Sequence, residues 1–326
     1  MSDVSLVDPF ARVIRYVRLS VTDRCDFRCV YCMSEKMTFL PRDRLLTLEE
    51  IARLGRIFAS LGVQTFRLTG GEPLVRRNLP WLVTQLAQQA DVVMTSNGSR
   101  LDRFAQPLKD AGMSRINVSL DSLDPQQFRA ITRTGELADV LRGIEAAQQV
   151  GFTVKLNVVV MKGRNDSQIL PIVAFAQQRG LDVSFIEEMP LGQISEHSRL
   201  LTFMPSAEIR ALISQHYDLI QTDYQTQGPS RYVQLADSAT RIGFISPHSH
   251  NFCGDCNRVR VTSEGRLLLC LGNEQGMDLL PLLRDQASDS EIASTILQAL
   301  TQKPERHDFD LTTAPQIVRF MNMTGG

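Results

Sequence analysis

The sequence predicts an α/β chain of six βα units, too few to close an eight-stranded barrel, followed by a smaller α+β region. Three observations carry this. From residue 13 to 189, short β-branched runs alternate with amphipathic stretches at helical spacing, the pattern of parallel strands joined by crossover helices. Beyond residue 200 that rhythm stops, and strand-like runs follow one another. The length, 326 residues with 43% hydrophobic content, exceeds most single domains and can bury a sizeable core. The expectation is an incomplete (βα)6 TIM-like barrel over residues 1–224 and a C-terminal region over 225–326 that closes it. The boundary falls at the Gly- and Pro-containing segment Gln225 to Ser230.

The strands expected in the barrel are Val13 to Ser20, Val63 to Thr69, Asp91 to Thr95, Arg115 to Leu120, Phe152 to Val160 and Leu181 to Glu187. A capping box, Thr47 with Glu50, opens the first long helix, which carries Leu54, Phe58 and Leu61 on one face and stops at Gly62. Helices are expected near Leu79 to Ala90, Leu101 to Ala111, Leu137 to Val150 and Ser167 to Arg179, the last two ended by Gly151 and Gly180. Further on, a helix from Ser206 to Tyr217 precedes strand-like runs Tyr232 to Leu235, Ile242 to Ser246, Val259 to Thr262 and Leu267 to Leu271. A second box, Ser288 with Glu291, opens a helix to about Leu300.

Composition excludes several classes. Lys+Arg total 35 against Asp+Glu 36, so the chain has no general nucleic-acid surface, and an anionic ligand needs a local basic cluster. No apolar run approaches the ~18 residues that span a bilayer. Met1 to Phe10 holds two aspartates and no apolar run, unlike a secretory signal. A reducing, cytoplasmic setting is expected.

All six cysteines fall into two triads, Cys25-x3-Cys29-x2-Cys32 and Cys253-x2-Cys256-x13-Cys270. Disulfides fit a reducing compartment poorly. Structural zinc wants four ligands, and although His248 and His250 could complete the second triad, no histidine lies near the first. Buried cysteines acting as small hydrophobes are the blandest alternative. A four-iron cluster takes three thiolates and leaves one iron open to a non-protein ligand, which suggests two such clusters. Most unusual residues follow the predicted strands: the first triad after strand one, Thr69 to Pro73 after strand two, Thr95 to Gly98 after strand three, Ser119 and Asp121 at strand four, and Met189 after strand six. Lys155 and Asn157 lie within strand five. Strand C-termini are where barrel active sites are built.

Cys-x3-Cys-x-Tyr-Cys resembles the radical S-adenosylmethionine signature, in which the open iron chelates S-adenosylmethionine and one electron releases a 5′-deoxyadenosyl radical. Arg18 to Cys25 (RLSVTDRC), Arg67 to Pro73 (RLTGGEP), the second triad with Asn257 to Arg260 (NRVR), and the final Gly325-Gly326 together resemble the GTP 3′,8-cyclase family over essentially the whole chain. The resemblance implies two 4Fe-4S clusters, held by Cys25, Cys29 and Cys32 and by Cys253, Cys256 and Cys270. It implies S-adenosylmethionine against Tyr31, Gly71, Ser119 and Met189. It implies GTP as substrate, its base at the second cluster and its triphosphate among Arg18, Arg67, Lys155, Arg258 and Arg260, with Thr95 also at the nucleotide and Arg258 and Arg260 in catalytic positions. The implied reaction removes the ribose C3′ hydrogen, joins C3′ to guanine C8 and, after reduction, gives 3′,8-cyclo-7,8-dihydro-GTP, the first step of molybdenum cofactor biosynthesis. In that family the C-terminal glycines insert toward the active site. Ser96 stands where a second threonine is expected, retaining the hydroxyl. An electron donor and the next enzyme of the pathway are implied partners; nucleic acid and membrane are not, and monomer and homodimer both remain open.

The residues alone reach a similar place by a weaker route. Arg258 and Arg260 are two apart on a strand-like run beside Cys256, so both face one side and can fork onto phosphate oxygens. Arg76, Arg77, Arg306 and His307 have no comparable context and read as surface. A radical enzyme that modifies peptides, and a zinc-stapled module without catalysis, are the alternatives.

Overall fold

The computed structural model describes residues 5–194, 197–311 and 317–325. Its core is a single sheet. The strands are β1 (Tyr16–Ser20), β2 (Thr65–Thr69), β3 (Asp91–Ser96), β4 (Arg115–Ser119), β5 (Thr153–Val160), β6 (Asp182–Glu187), β7 (Leu219–Gln221), β8 (Arg231–Leu235), β9 (Arg241–Ile245), β10 (Arg258–Val261), β11 (Arg266–Leu268) and β12 (Gly276–Asp278). The order is β12-β11-β10-β1-β2-β3-β4-β5-β6-β9-β8-β7. All six expected barrel strands form and pair in parallel sequence, and both β10 and β9, from the C-terminal region, add parallel to β1 and β6. Eight parallel strands therefore curve around one lumen, but β9 and β10 do not pair and the sheet stays open.

Each strand alternates in the same sense. Val17, Leu19, Phe66, Leu68, Met94, Ile116, Val118, Leu156, Val183 and Phe185 belong to the apolar core shared with the surrounding helices. Their neighbours, among them Arg18, Arg67, Arg115, Asn117, Lys155 and Asn157, face the lumen and line a cavity. A lumen filled by charged side chains is a chamber rather than a packed core, the reverse of the usual barrel interior. Register sharpens this: Arg260, Arg18, Arg67, Val93 and Arg115 sit side by side across β10, β1, β2, β3 and β4, four guanidinium residues in one row.

Local chemistry explains the framing helices. Leu48–Ser60 has the expected box, Glu50 N donating to Thr47 Oγ1 at 3.1 Å and Thr47 N to Glu50 Oε2 at 2.7 Å. Such a cap contributes about 1 kcal/mol. Ser288 and Glu291 do the same for Asp289–Leu300. The helix Pro125–Thr132 was not expected, although Asp124 caps it through Gln127 N (2.7 Å) with Pro125 in its first turn. The segment expected at the domain boundary also forms a wall: Thr226, Gly228, Pro229 and Ser230 line the lumen, and Gln227 accepts a hydrogen bond from Thr65 Oγ1 (2.7 Å). No helix among the described residues is long and apolar enough to cross a membrane.

Candidate functional site: two cavities of opposite charge

The first triad occupies the loop after β1, where Cys32 N and Met33 N both turn back onto Cys29 O (3.0 and 3.3 Å). The β2 loop packs flush against it: Gly71 N donates to Thr22 O and Glu72 N to Arg24 O, each at 2.8 Å. A Cβ on Gly71 would lie 2.4 Å from Arg24 O, so the Gly-Gly pair is what permits this approach. Glu72 is fully buried and accepts from Leu74 N (3.0 Å), Asn97 N (2.6 Å) and Ser96 Oγ (2.9 Å). The hydroxyl retained at Ser96 therefore ties the ends of β2 and β3. Burial pushes the Glu72 carboxyl up to about 7 in spite of these donors. Tyr31 donates to Asp121 Oδ2 (2.7 Å), and Asp121 also accepts from Val159 N (2.9 Å); burial raises its carboxyl to about 6.

These elements enclose one cavity, lined by Cys25, Cys29, Cys32, Tyr31, Gly71, Ser119 and Met189 together with Thr95, Asp121, Glu187, Glu188 and Met321. It has no lysine or arginine in its lining. Burial raises the thiols of Cys25 and Cys29, and that of Cys32 to about 12.

The second triad turns between β9 and β10 (Cys256 N to Cys253 O, 3.0 Å) and is completed by Cys270 after β11. It lines a second cavity with Tyr16, Arg18, Arg67, Arg115, Lys155, Arg258 and Arg260, and among the described residues no carboxylate side chain lines it. Two of the cations have neutral partners: Arg67 has Tyr16 Oη, Met94 O and Thr95 Oγ1, and Lys155 has Ser184 Oγ (3.2 Å) and Tyr232 Oη (3.1 Å). Crowding shows in their acidity. Burial, then Arg258, lowers Arg260 to about 10; burial, then Arg260, lowers Arg18; burial lowers Lys155. Burial opposes ionisation of Cys256, but Lys303 and then Arg258 outweigh it and lower its thiol. Asn157, Ile186 and Met189 line both cavities, so the two chambers share a wall.

The C-terminal segment reaches this wall. Met321 N donates to Cys32 O (3.2 Å), Asn322 Nδ2 to Asp23 O (2.9 Å), and the Gly325 carbonyl accepts from Arg260 and from Arg18 (3.4 Å). Gly325 has φ +74°, and a Cβ there would lie 2.1 Å from Thr69 Oγ1. Gly326 lies outside the described residues.

All six cysteines are free thiols, and among the described residues no three His, Cys, Asp or Glu converge as on a single metal ion. Each triad places its three thiols on the wall of one cavity, a donor set that fits a cluster held by three cysteines. His248 is committed elsewhere, donating through Nε2 to Glu188 O (3.0 Å).

Every site residue expected from the sequence lies at one cavity or the other. Thr95, expected at the nucleotide, lines the first cavity while bonding Arg67 of the second. His307, read as surface, lines the second cavity. Sequence reasoning missed Tyr16, Arg115 and Asn117, whose signal was their two-residue spacing from lumen positions, and Lys303, which had no local signal.

Residues 19–176 match the Radical SAM superfamily and residues 181–309 match Molybdenum Cofactor Synthesis C. The chain is 57% identical over its full length to the whole of a GTP 3′,8-cyclase of Marinobacter nauticus, and 55% identical, again over 100% of both chains, to GTP 3′,8-cyclase 2 of Pseudomonas aeruginosa. Among solved structures, Streptococcus suis SuiB bound to S-adenosylmethionine aligns with TM-score 0.65 at 16% identity, covering 96% of this chain and 78% of that one. That last likeness is one of fold.

Proposed function

The chain belongs to the GTP 3′,8-cyclase family, and we propose that it converts GTP to (8S)-3′,8-cyclo-7,8-dihydro-GTP, the first step of molybdenum cofactor biosynthesis, with S-adenosylmethionine and two 4Fe-4S clusters. One observation carries this reading for these residues: two cavities share a wall, and among the described residues one is lined by carboxylates and no lysine or arginine, the other by six such cations and no carboxylate side chain. S-adenosylmethionine is a net cation and GTP a polyanion, so each chamber complements one of them.

When bound, the first cluster supplies the electron that releases the 5′-deoxyadenosyl radical, and the second offers an open iron to the base. The protein's part is to hold and align. Tyr31, Gly71, Ser119 and Met189 enclose S-adenosylmethionine, with Asp121 fixing the Tyr31 hydroxyl. Arg18, Arg67, Lys155, Arg258 and Arg260 take the triphosphate, with Arg258 and Arg260 also aligning the base beside Cys256. Met189 lines both cavities, so it would stand between the two ligands and help hold them in the alignment on which hydrogen transfer depends. Met321, in the C-terminal segment, forms part of the first cavity's wall and would limit water's access there.

Six reduced thiols and the absence of a membrane-length helix among the described residues suit a cytoplasmic enzyme. An external electron donor is required, and the next enzyme of the pathway is a natural partner for an unstable product; the chain works as a monomer or homodimer. Anaerobic turnover with GTP deuterated at C3′, S-adenosylmethionine and dithionite tests the proposal. Deuterium in 5′-deoxyadenosine together with the cyclised nucleotide is expected. Deuterium retained in unreacted GTP while 5′-deoxyadenosine accumulates would overturn it.

A further inference from the structure

Lys303 is 3% exposed, yet no carboxylate among the described residues pairs with it. Its ammonium donates to Leu269 O, the residue before Cys270, and lies 3.6 Å from Cys256 Sγ. A buried ammonium without an anion costs several kcal/mol, and Cys256 Sγ is the neighbour placed to supply a counter-charge. The segment that carries it cannot withdraw. Arg12 donates to Pro304 O (2.7 Å) and Glu305 O (2.6 Å), and also to Cys253 O (2.7 Å), stapling the backbone after Lys303 onto the triad. The two cations differ in one respect. Arg12 is neutralised by Asp8, whereas the charge of Lys303 remains available to the thiolates.

We propose that Lys303 is a positioning residue of the second iron-sulfur site: it joins the Cys256 and Cys270 arms and, through its charge and its N–H···S contact, raises the reduction potential of the cluster held there. The proposal rests on the two-cluster reading above. Hydrogen bonds to ligand sulfur and local net charge are the protein's main controls on such potentials. Three thiolates give the site a net negative charge that Lys303 offsets alongside Arg258, which makes electron uptake easier. The first triad has no such cation in its cavity, so the two clusters would differ in potential though their protein ligands are the same.

The test is redox titration, followed by electron paramagnetic resonance, of the full chain reconstituted anaerobically, with iron and sulfide measured on each variant. The S-adenosylmethionine-sensitive signal marks the first cluster and the GTP-sensitive signal the second. Lys303→Met and Lys303→Gln should each lower the second midpoint by about 59 mV, a tenfold change for one electron, and leave the first unmoved; Lys303→Arg should restore it. Gln keeps a donor for Leu269 O without charge, so it reports even if Met fails to hold iron. A second midpoint unchanged in Gln, with full iron content, would overturn the proposal alone. Parent protein with about four irons instead of about eight would overturn the two-cluster reading and the proposal together.

Discussion

The two cysteine triads present the same donors in opposite surroundings. Around Cys25, Cys29 and Cys32 stand Glu72, Asp121, Glu187 and Glu188, and burial drives the thiols up; around Cys256 stand Lys303, Arg258 and Arg260, and that thiol is lowered. The difference teaches that cysteine spacing announces a metal but the lining decides what the metal meets. Burial raises Cys253 and Cys270 as well, so Cys256 is the one thiol of the six that its surroundings lower.

The largest effects come from removing one triad at a time. Cys29→Ala should abolish 5′-deoxyadenosine formation altogether, while Cys256→Ala loses the cyclised product but still makes some uncoupled 5′-deoxyadenosine, both read by chromatography. Normal cyclisation by Cys256→Ala would break the comparison.

Deleting Gly325-Gly326 should come next, removing most cyclisation while both clusters assemble and S-adenosylmethionine binds, because Gly325 touches the row of guanidinium residues rather than either triad. Full turnover by the truncated chain would show that contact to be incidental.

Single cations should matter by less. A hydrogen bond to a charged group is worth ~1.5–3 kcal/mol, so Arg258→Ala or Arg260→Ala should weaken GTP binding roughly 10- to 150-fold by equilibrium dialysis, with iron content unchanged. Wild-type GTP affinity in both would reassign these arginines to structure.

The smallest effect concerns the acid-lined side. Glu72 keeps its proton to about pH 7 in the folded chain but loses it near 4.5 when unfolded, so the folded state binds more protons in that window. Stability is then greatest below about pH 4.5 for this group and falls as pH rises to about 7, by up to roughly 3 kcal/mol. Denaturant unfolding of cluster-free protein should show this slope, and Glu72→Gln should flatten it. An unchanged slope would mean that Glu72 is ionised.

Much of this was legible beforehand because it is local. Short β-branched runs between helical stretches gave all six barrel strands, capping boxes gave the Leu48–Ser60 and Asp289–Leu300 helices, and motif spacing gave the cysteines and both arginines beside Cys256. What was missed is register and long-range contact. Arg115 joins Arg18 and Arg67 only once β1 to β4 are aligned. Lys303 meets Cys256 across 47 residues, and Arg12 meets Glu305 across 293. That residues 226 and 228–230 line the second cavity was likewise invisible, since composition marks a connection but not what it packs against.

The division of labour between the cavities is tested most directly by measuring the affinity of the reconstituted chain for each ligand in two variants chosen from opposite linings. Lys155→Met should weaken GTP at least about tenfold and leave S-adenosylmethionine unchanged, and Asp121→Asn should do the reverse. Equal weakening of both ligands by either variant, or an exchange of the two effects, would contradict the account.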